Sequence, residues 1–402
     1  MKDLFKKSII VVFLVYLISV MSLTITKNKE IFKDEFDKLK TKEEYKAANK
    51  YEKLGMYKDT FERTFNNKIY KKDNYIDIYG LFQKILLKRV VEDVDDNKNV
   101  VRMNNGKLTF VYPNWNVDEE AKKIINLSEY AKSKKIYMTY INIPWRVKDN
   151  SELPFYMKDC VTSTNNKMLS KLSNGNVNII DLENMLDGDY DDWFYNTDHH
   201  WTTDTAFTAY KIIMNDLDNE LGLGLTDKYL SNFKVEKYKN IFLGTYGKRV
   251  GKYYGGMDDF TYITPYFDTK FEVINYRDVG EVESVKKGNF KDALTYPEFL
   301  DKNLDRDLSV YYTYSKGTKA EVNITNLQSY NNKKLLVIKD SFADSIYPFF
   351  ALNFQKTKVI DVRRYKAIRL YKYIEKYQPD AIVVLYNAQS LYDKTLFNWQ
   401  EK

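Results

Sequence analysis

Leu335-Leu336-Val337-Ile338-Lys339-Asp340-Ser341-Phe342 carries an unbroken apolar run straight into an Asp-Ser pair. Four aliphatic residues without polar alternation fit a strand covered on both faces, and the polar pair marks its end. The same rhythm continues downstream. Residues 334–338 read as a strand feeding a helix over 342–354, residues 357–361 as a strand feeding a helix over 365–377, and residues 381–386 as a further strand. Upstream, residues 135–144 and 177–181 are two more strands. The stretch 119–133 between 108–112, a shorter strand, and 135–144 is an amphipathic helix with Ala121, Ile124, Ile125 and Leu127 on one side. Residues 75–91 are apolar at helical spacing, and Phe207, Tyr210, Ile213, Met214 and Leu217 mark another helical stripe. Strands alternating with helices predict an α/β fold with a parallel sheet covered on both faces.

Residues 219–333 break this rhythm. They are glycine-rich, with Gly244, Gly247, Gly251, Gly255 and Gly256 close together, and hold few strong periodic runs. They are expected to form a loop-rich insertion folding over the site. The expected organisation is residues 1–26 as a membrane segment, 27–75 as a Lys/Glu-rich helical stalk, and 76–402 as the α/β domain. A chain of 402 residues exceeds what one core usually sustains, which suits a large domain with an insertion.

The N-terminus bears on location. Lys2, Lys6 and Lys7 precede an uncharged stretch, Ser8 to Ile25, of a length that just crosses about 30 Å of hydrocarbon. Basic residues ahead of such a span favour an inside N-terminus, so a single-pass cell-membrane anchor with the domain on the extracellular side is expected. A cleaved signal peptide and a secreted product form the alternative, although no Ala-x-Ala cleavage pattern is present. The net charge of +7 is spread over mixed-sign stretches, and no nucleic-acid-binding motif is found. The 35 tyrosines suit platforms for sugar rings, but an AT-rich coding sequence is the better account of them. No dinucleotide or phosphate-loop fingerprint is present, so no cofactor is expected. Cys160 is the only cysteine, so no internal disulfide forms.

The chain has only two histidines, and they are adjacent, in Asp198-His199-His200-Trp201. Any imidazole-based proton transfer near neutrality must therefore occur here. Asp198 is placed to orient His200, and Ser341, past the end of a buried strand, suits an activated nucleophile. The competing reading of Asp340-Ser341 is a helix N-cap. His200 and Asp204 lie four apart with Asp198 nearby, which admits a metal reading. Zinc sites generally need a third or fourth strong ligand, and no metal is expected. His199 is expected to point away from His200, and Trp201 to wall the site. An oxyanion formed on attack by Ser341 would meet its own amide and that of Gly244.

Asp198-His199-His200-Trp201 resembles the signature of the bacterial DHHW proteins, which are similar to the alginate O-acetylation proteins with their SGNH hydrolase-like domain. Lys339-Asp340-Ser341-Phe342 matches the serine block of that group. The resemblance spans roughly residues 60–400. It implies a three-layer α/β/α domain in which Ser341 is the nucleophile, His200 the base and Asp198 its orienter. It further implies that Tyr347 and Arg363 or Arg364 hold polymer substrate. Lys339 stands where many relatives have glycine, and the order Asp…His…Ser reverses that of ordinary SGNH esterases. The implied activity is O-acetyl transfer to an extracellular or cell-wall polysaccharide, with a membrane-bound O-acyltransferase as acetyl donor. A cell-wall acetyl esterase and an inactive glycan-binding protein are the alternatives.

Overall fold

The computed structural model describes residues 2–92, 99–278, 280–365 and 368–400. The chain divides into two compact units, Met1–Tyr79 and Gly80–Lys402. The first unit holds helices α1 (Lys2–Lys27), α2 (Lys29–Thr41), α3 (Glu43–Ala47), α4 (Lys50–Asn67) and the start of α5 (Lys72–Ile85). Within α1, the 23 residues Phe5–Lys27 are long and apolar enough to span a membrane or to act as a signal sequence. Helices α2 and α4 pack through Phe32 on Phe61 and Phe36 on Tyr57, each with ring centroids 5.5 Å apart. Asn49 starts α4 with a reciprocal cap to Glu52, satisfying amides that the helix leaves open.

In the second unit, β1 (Val90–Glu92), β2 (Asn99–Arg102) and β3 (Leu108–Thr109) form a small antiparallel sheet. The strand expected over 108–112 is thus shorter and stands outside the main sheet. Helix α6 (Asp118–Ser133) leads to β4 (Tyr137–Ile143), and α7 (Val161–Asn174) to β5 (Asn178–Asp181). Helix α8 (Thr203–Leu221) follows, then β6 (Phe233–Phe242), β7 (Asp258–Pro265), β8 (Phe271–Asp278), β9 (Glu281–Gly288) and β10 (Glu321–Asn326). The chain continues through β11 (Lys334–Lys339), β12 (Lys356–Ile360), α9 (Leu370–Tyr377) and β13 (Ala381–Asn387).

Eight strands form the main sheet in the order β5-β4-β13-β11-β12-β10-β8-β9. The first five are parallel, whereas β10, β8 and β9 pair antiparallel. The sheet is therefore mixed, which corrects the expectation of a parallel one. All three antiparallel strands come from residues 219–333, which also supply the β6–β7 hairpin, so that segment is strand-rich rather than loop-rich. The reason lies in one-sided burial. β8 alternates, burying Phe271, Val273 and Asn275, and the edge strand β9 is mostly polar, as edges exposed to water tend to be. Such strands lack the continuous apolar runs of the centre.

The central strands feed two cores. Leu335 and Val337 of β11 and Val383 and Leu385 of β13 join one, with Phe207, Ile213 and Leu217 of α8. Leu336, Ile338, Ile382 and Val384 join the other, with Ile124 and Leu127 of α6, Met168 of α7 and Ile374 of α9. Burying both faces explains the unbroken aliphatic runs.

The helix expected over 342–354 is instead a 3₁₀ turn, Ser341–Ser345, followed by the single helical turn Tyr347–Phe350. Pro348 accounts for the break. Its ring restricts the preceding residue and it lacks the N–H a continuing helix would require, so it opens a new turn instead. Of the helix expected over 365–377, residues 366–367 lie outside the described residues and α9 begins at Leu370. Parallel pairing brings the C-terminal ends of β4, β11 and β13 side by side, with Lys339 opposite Leu385 and Asn387 opposite Ile143. Ligands in α/β sheets gather at that end.

Candidate active site

Three side chains from two distant segments form a continuous chain of hydrogen bonds. Ser341 Oγ lies 2.9 Å from His200 Nε2, and His200 Nδ1 lies 2.6 Å from Asp198 Oδ1. With Nδ1 protonated toward the carboxylate, Nε2 presents its lone pair to the serine hydroxyl. Asp198 Oδ1 also accepts the His200 amide at 3.0 Å, and Oδ2 accepts the Thr245 amide at 2.7 Å. Burial alone would raise the Asp198 carboxyl, but His199, His200 and these hydrogen bonds outweigh it and hold the group well below its ordinary value. Asp198 and His200 are buried, while Ser341 is partly exposed and reachable.

The loop carrying the histidines is closed on itself and clamped from three sides. Phe194 and Trp201 bridge its ends. Asp258 accepts the Asn196 amide at 2.6 Å, the Thr197 amide at 2.8 Å and the Thr197 hydroxyl at 2.5 Å. The buried Arg146, just past the end of β4, donates to the carbonyls of Asp198 and Tyr195. From the far side comes the short helix Thr245–Val250, whose leading residue is Gly244.

Gly244 corrects the expectation that its amide is free for an oxyanion. That N–H donates to Thr197 Oγ1 at 2.8 Å. Its glycine identity has a steric cause: a Cβ there would sit 2.2 Å from the Asp198 Cβ. Gly244 therefore lets the Thr245 amide reach the carboxylate.

The serine turn is held just as tightly. Asp340 caps it, accepting the Phe342 amide at 2.9 Å on one oxygen and the Asn387 amide (2.7 Å) and Ser390 hydroxyl (2.6 Å) on the other. The cap reading thus holds for Asp340, and it leaves the Ser341 hydroxyl for His200. Trp201, expected to wall the site, is instead fully buried beneath the turn, with Nε1 donating to the Phe342 carbonyl and the Ser345 hydroxyl, both at 3.0 Å. Tyr311 joins both halves of the site. Its ring stacks on His200 with centroids 3.8 Å apart and planes 13° apart. Its hydroxyl lies 3.0 Å from the Phe342 carbonyl and 3.1 Å from Ser345 Oγ.

Lys339 has a buried side chain ion-paired to Asp344 and 3.8 Å from Asp361. Arg363 grips the same Asp361 at 2.9 and 2.6 Å. This alternating cation–carboxylate cluster lies directly under the serine turn. Lys339→Met is expected to destabilise the fold by about 3–5 kcal/mol, because it strands buried carboxylates. Urea unfolding checks this, and the double change with Asp344→Asn should recover part of the loss.

The remaining expected residues separate. Arg363 is partly exposed, and its charge acts on both His199 and Asp340, so it borders the site. Arg364 is exposed. Tyr347, expected to hold substrate, is a buried member of the core, because its short helix packs inward. His199 does not point away: its ring centroid is 3.8 Å from that of His200, and Nδ1 is 3.6 Å from Asp198 Oδ1. Burial and the adjacent His200 hold His199 well below the usual histidine range, so it is neutral near pH 7. Asp198, His199 and His200 offer donor atoms within 4.8 Å of one another, the nearest approach to a metal set among the described residues. Both nitrogens of His200 are already engaged by Asp198 and Ser341, so coordination would break the chain of hydrogen bonds.

Sequence reading missed Arg146, Asp258, Thr197 and Tyr311. Arg146 follows a parallel strand end, a placement that marks it; Tyr311 is one of 35 tyrosines and carries no local signal.

A family model described as DHHW protein matches residues 110–360. Among solved structures, PatB1 from Bacillus cereus superposes with a TM-score of 0.60 at 22% identity, covering 75% of this chain and 99% of that one. PatB1 has also been solved with a sulfonyl adduct, at a TM-score of 0.58 and 21% identity, over 75% and 98% of the two chains. A DHHW family protein from Eubacterium siraeum superposes with a TM-score of 0.55 at 19% identity, over 78% of this chain and 99% of that one. These likenesses are of fold. No curated protein matches the sequence significantly.

Proposed function

This chain belongs to the DHHW family, and we propose that it transfers acetyl groups to an extracellular or cell-wall polysaccharide through an acyl-serine at Ser341. The observation carrying this reading is the relay Ser341–His200–Asp198, at 2.9 and 2.6 Å. As Ser341 Oγ attacks the acyl carbonyl, His200 Nε2 takes its proton, and the ionised Asp198 stabilises the imidazolium. The Ser341 amide faces the developing oxyanion. Collapse expels the donor's leaving group, which takes the proton from His200. A sugar hydroxyl then enters, gives its proton to His200 and attacks the acyl-serine; collapse releases the sugar ester as His200 returns that proton to Ser341 Oγ.

The two-sided sheet supports an SGNH hydrolase-like, three-layer α/β/α reading of the domain. Residues 1–26 would hold it in the membrane facing outward, residues 27–75 would act as a stalk, and a membrane-bound O-acyltransferase would supply acetyl groups. Arg363, at the border of the site, would be the side chain that meets polymer.

Acid quenching during turnover of an activated acetyl ester, followed by peptide mapping, tests the covalent step. Acetyl on the Ser341 peptide, released faster and captured as a sugar ester when a cell-wall oligosaccharide is added, is expected. Release indifferent to the sugar identifies an esterase; no acyl-peptide and no turnover identify a binding protein. Chelation is expected to leave activity unchanged. One zinc per chain, lost together with activity, would overturn the assignment of His200 to proton transfer.

A further inference from the structure

Helix α5 is turned inside out for a helix in water. Asp77, Gly80 and Gln83, three apart, take its inner side: Asp77 and Gln83 are buried, and a Cβ on Gly80 would collide with the Val250 carbonyl. Its outer side carries Ile78, Leu81, Phe82 and Ile85, all exposed. Surface helices normally place such a stripe against the core. The apolar run continues past the helix through Leu86 and Leu87, exposed by 63% and 86%.

A second apolar pair lies beside the end of this run. Phe155 is 99% exposed and Tyr156 64%. Arg89, two residues beyond Leu87, donates to the Glu152 carbonyl at 3.2 Å, which ties the two segments together. Lys84, Lys88 and Lys158 are exposed around them. Contiguous apolar surface of this kind marks a contact site rather than ordinary surface.

The chain itself indicates the occupant. In the first unit, the Tyr75 ring of α5 meets Tyr16 of α1, with centroids 6.5 Å apart, and the Tyr70 amide donates to Thr24 Oγ1 at 3.0 Å. The start of α5 thus lies beside the one described helix of membrane-crossing length. Leucines, isoleucine and aromatic rings rimmed by lysines suit the boundary between acyl chains and anionic headgroups.

We propose that Phe82, Ile85, Leu86, Leu87, Phe155 and Tyr156 form a bilayer-seating surface that rests the domain on an anionic membrane. The surface acts independently of the acyl chemistry and goes beyond a simple tether: it fixes an orientation that a single helix leaves free.

The test uses the full chain with Cys160→Ser, a single fluorophore at Phe155→Cys, and vesicles of phosphatidylcholine and phosphatidylglycerol containing a doxyl-labelled lipid. A label at Val285→Cys, on the exposed edge strand β9, serves as comparator. Several-fold stronger quenching at position 155 is expected, with a loss of that excess when Phe82→Glu and Leu87→Glu are added. Equal, weak quenching at both positions while the chain floats with the vesicles overturns the surface yet leaves an anchor intact. Energy transfer between labelled copies without lipid quenching assigns the patch to a second copy of the chain and overturns it too, as does failure to float at all.

Discussion

Ser341→Ala and His200→Ala are each expected to lower turnover of an activated acetyl ester on the order of 10³-fold or more. The serine turn should survive the first change. Asp340 accepts its Phe342 amide, and Trp201 and Tyr311 donate to the Phe342 carbonyl, while among the described residues the Ser341 hydroxyl meets only the His200 side chain. Removing the His200 ring empties the space against Tyr311, so His200→Gln is the companion variant that keeps most of the volume. Members of one relay act as a unit, so the double variant should lose little more than either single one. Thermal melting checks that the fold is intact. Full ester turnover in Ser341→Ala would sink the covalent mechanism.

Asp198→Asn is expected to cost on the order of 10³-fold in the same assay with the fold retained. Both Asp198 oxygens accept: one from His200 Nδ1 and the His200 amide, the other from the Thr245 amide. An amide group cannot accept on both sides. Its NH₂ must face either a donor N–H or the imidazole, and in the latter case His200 is driven to the tautomer that protonates Nε2 and cannot take the serine proton. The carboxyl is held low in the folded state, so its contribution to stability is present above about pH 4, the unfolded value, and is lost on acidification through the lower folded value. Asp198→Asn should flatten that acid limb of the stability profile as well as cut turnover. Wild-type-like turnover would remove Asp198 from the relay.

The strands that matter most were legible because they are buried on both faces. β11 and β13 carry unbroken aliphatic runs, and a strand of that kind has few other places to go. β8, β9 and β10 were not, since an antiparallel flank wetted on one side, with Lys and Glu along its edge, resembles a polar loop when only runs are counted. Glycine crowding in the same segment reinforced that impression, although Gly244 answers to a contact with Asp198, 46 residues earlier.

The candidate site divides in the same way. Having only two histidines, side by side after an aspartate, confined imidazole chemistry to one loop, and a strand ending in Asp-Ser pointed to one hydroxyl. Those are properties of residue type and local order, which a linear chain displays. That Ser341 lies 2.9 Å from a ring 141 positions earlier follows only from strand packing. So do the reassignments: Trp201 under the turn, Tyr347 in the core, His199 against His200, and the Gly244 amide spent on Thr197. Whether a side chain faces substrate, core or a neighbour's amide depends on which distant segments pack around it. Tyr311 and Asp258 reach the site from such segments, with nothing in their own neighbourhoods to set them apart.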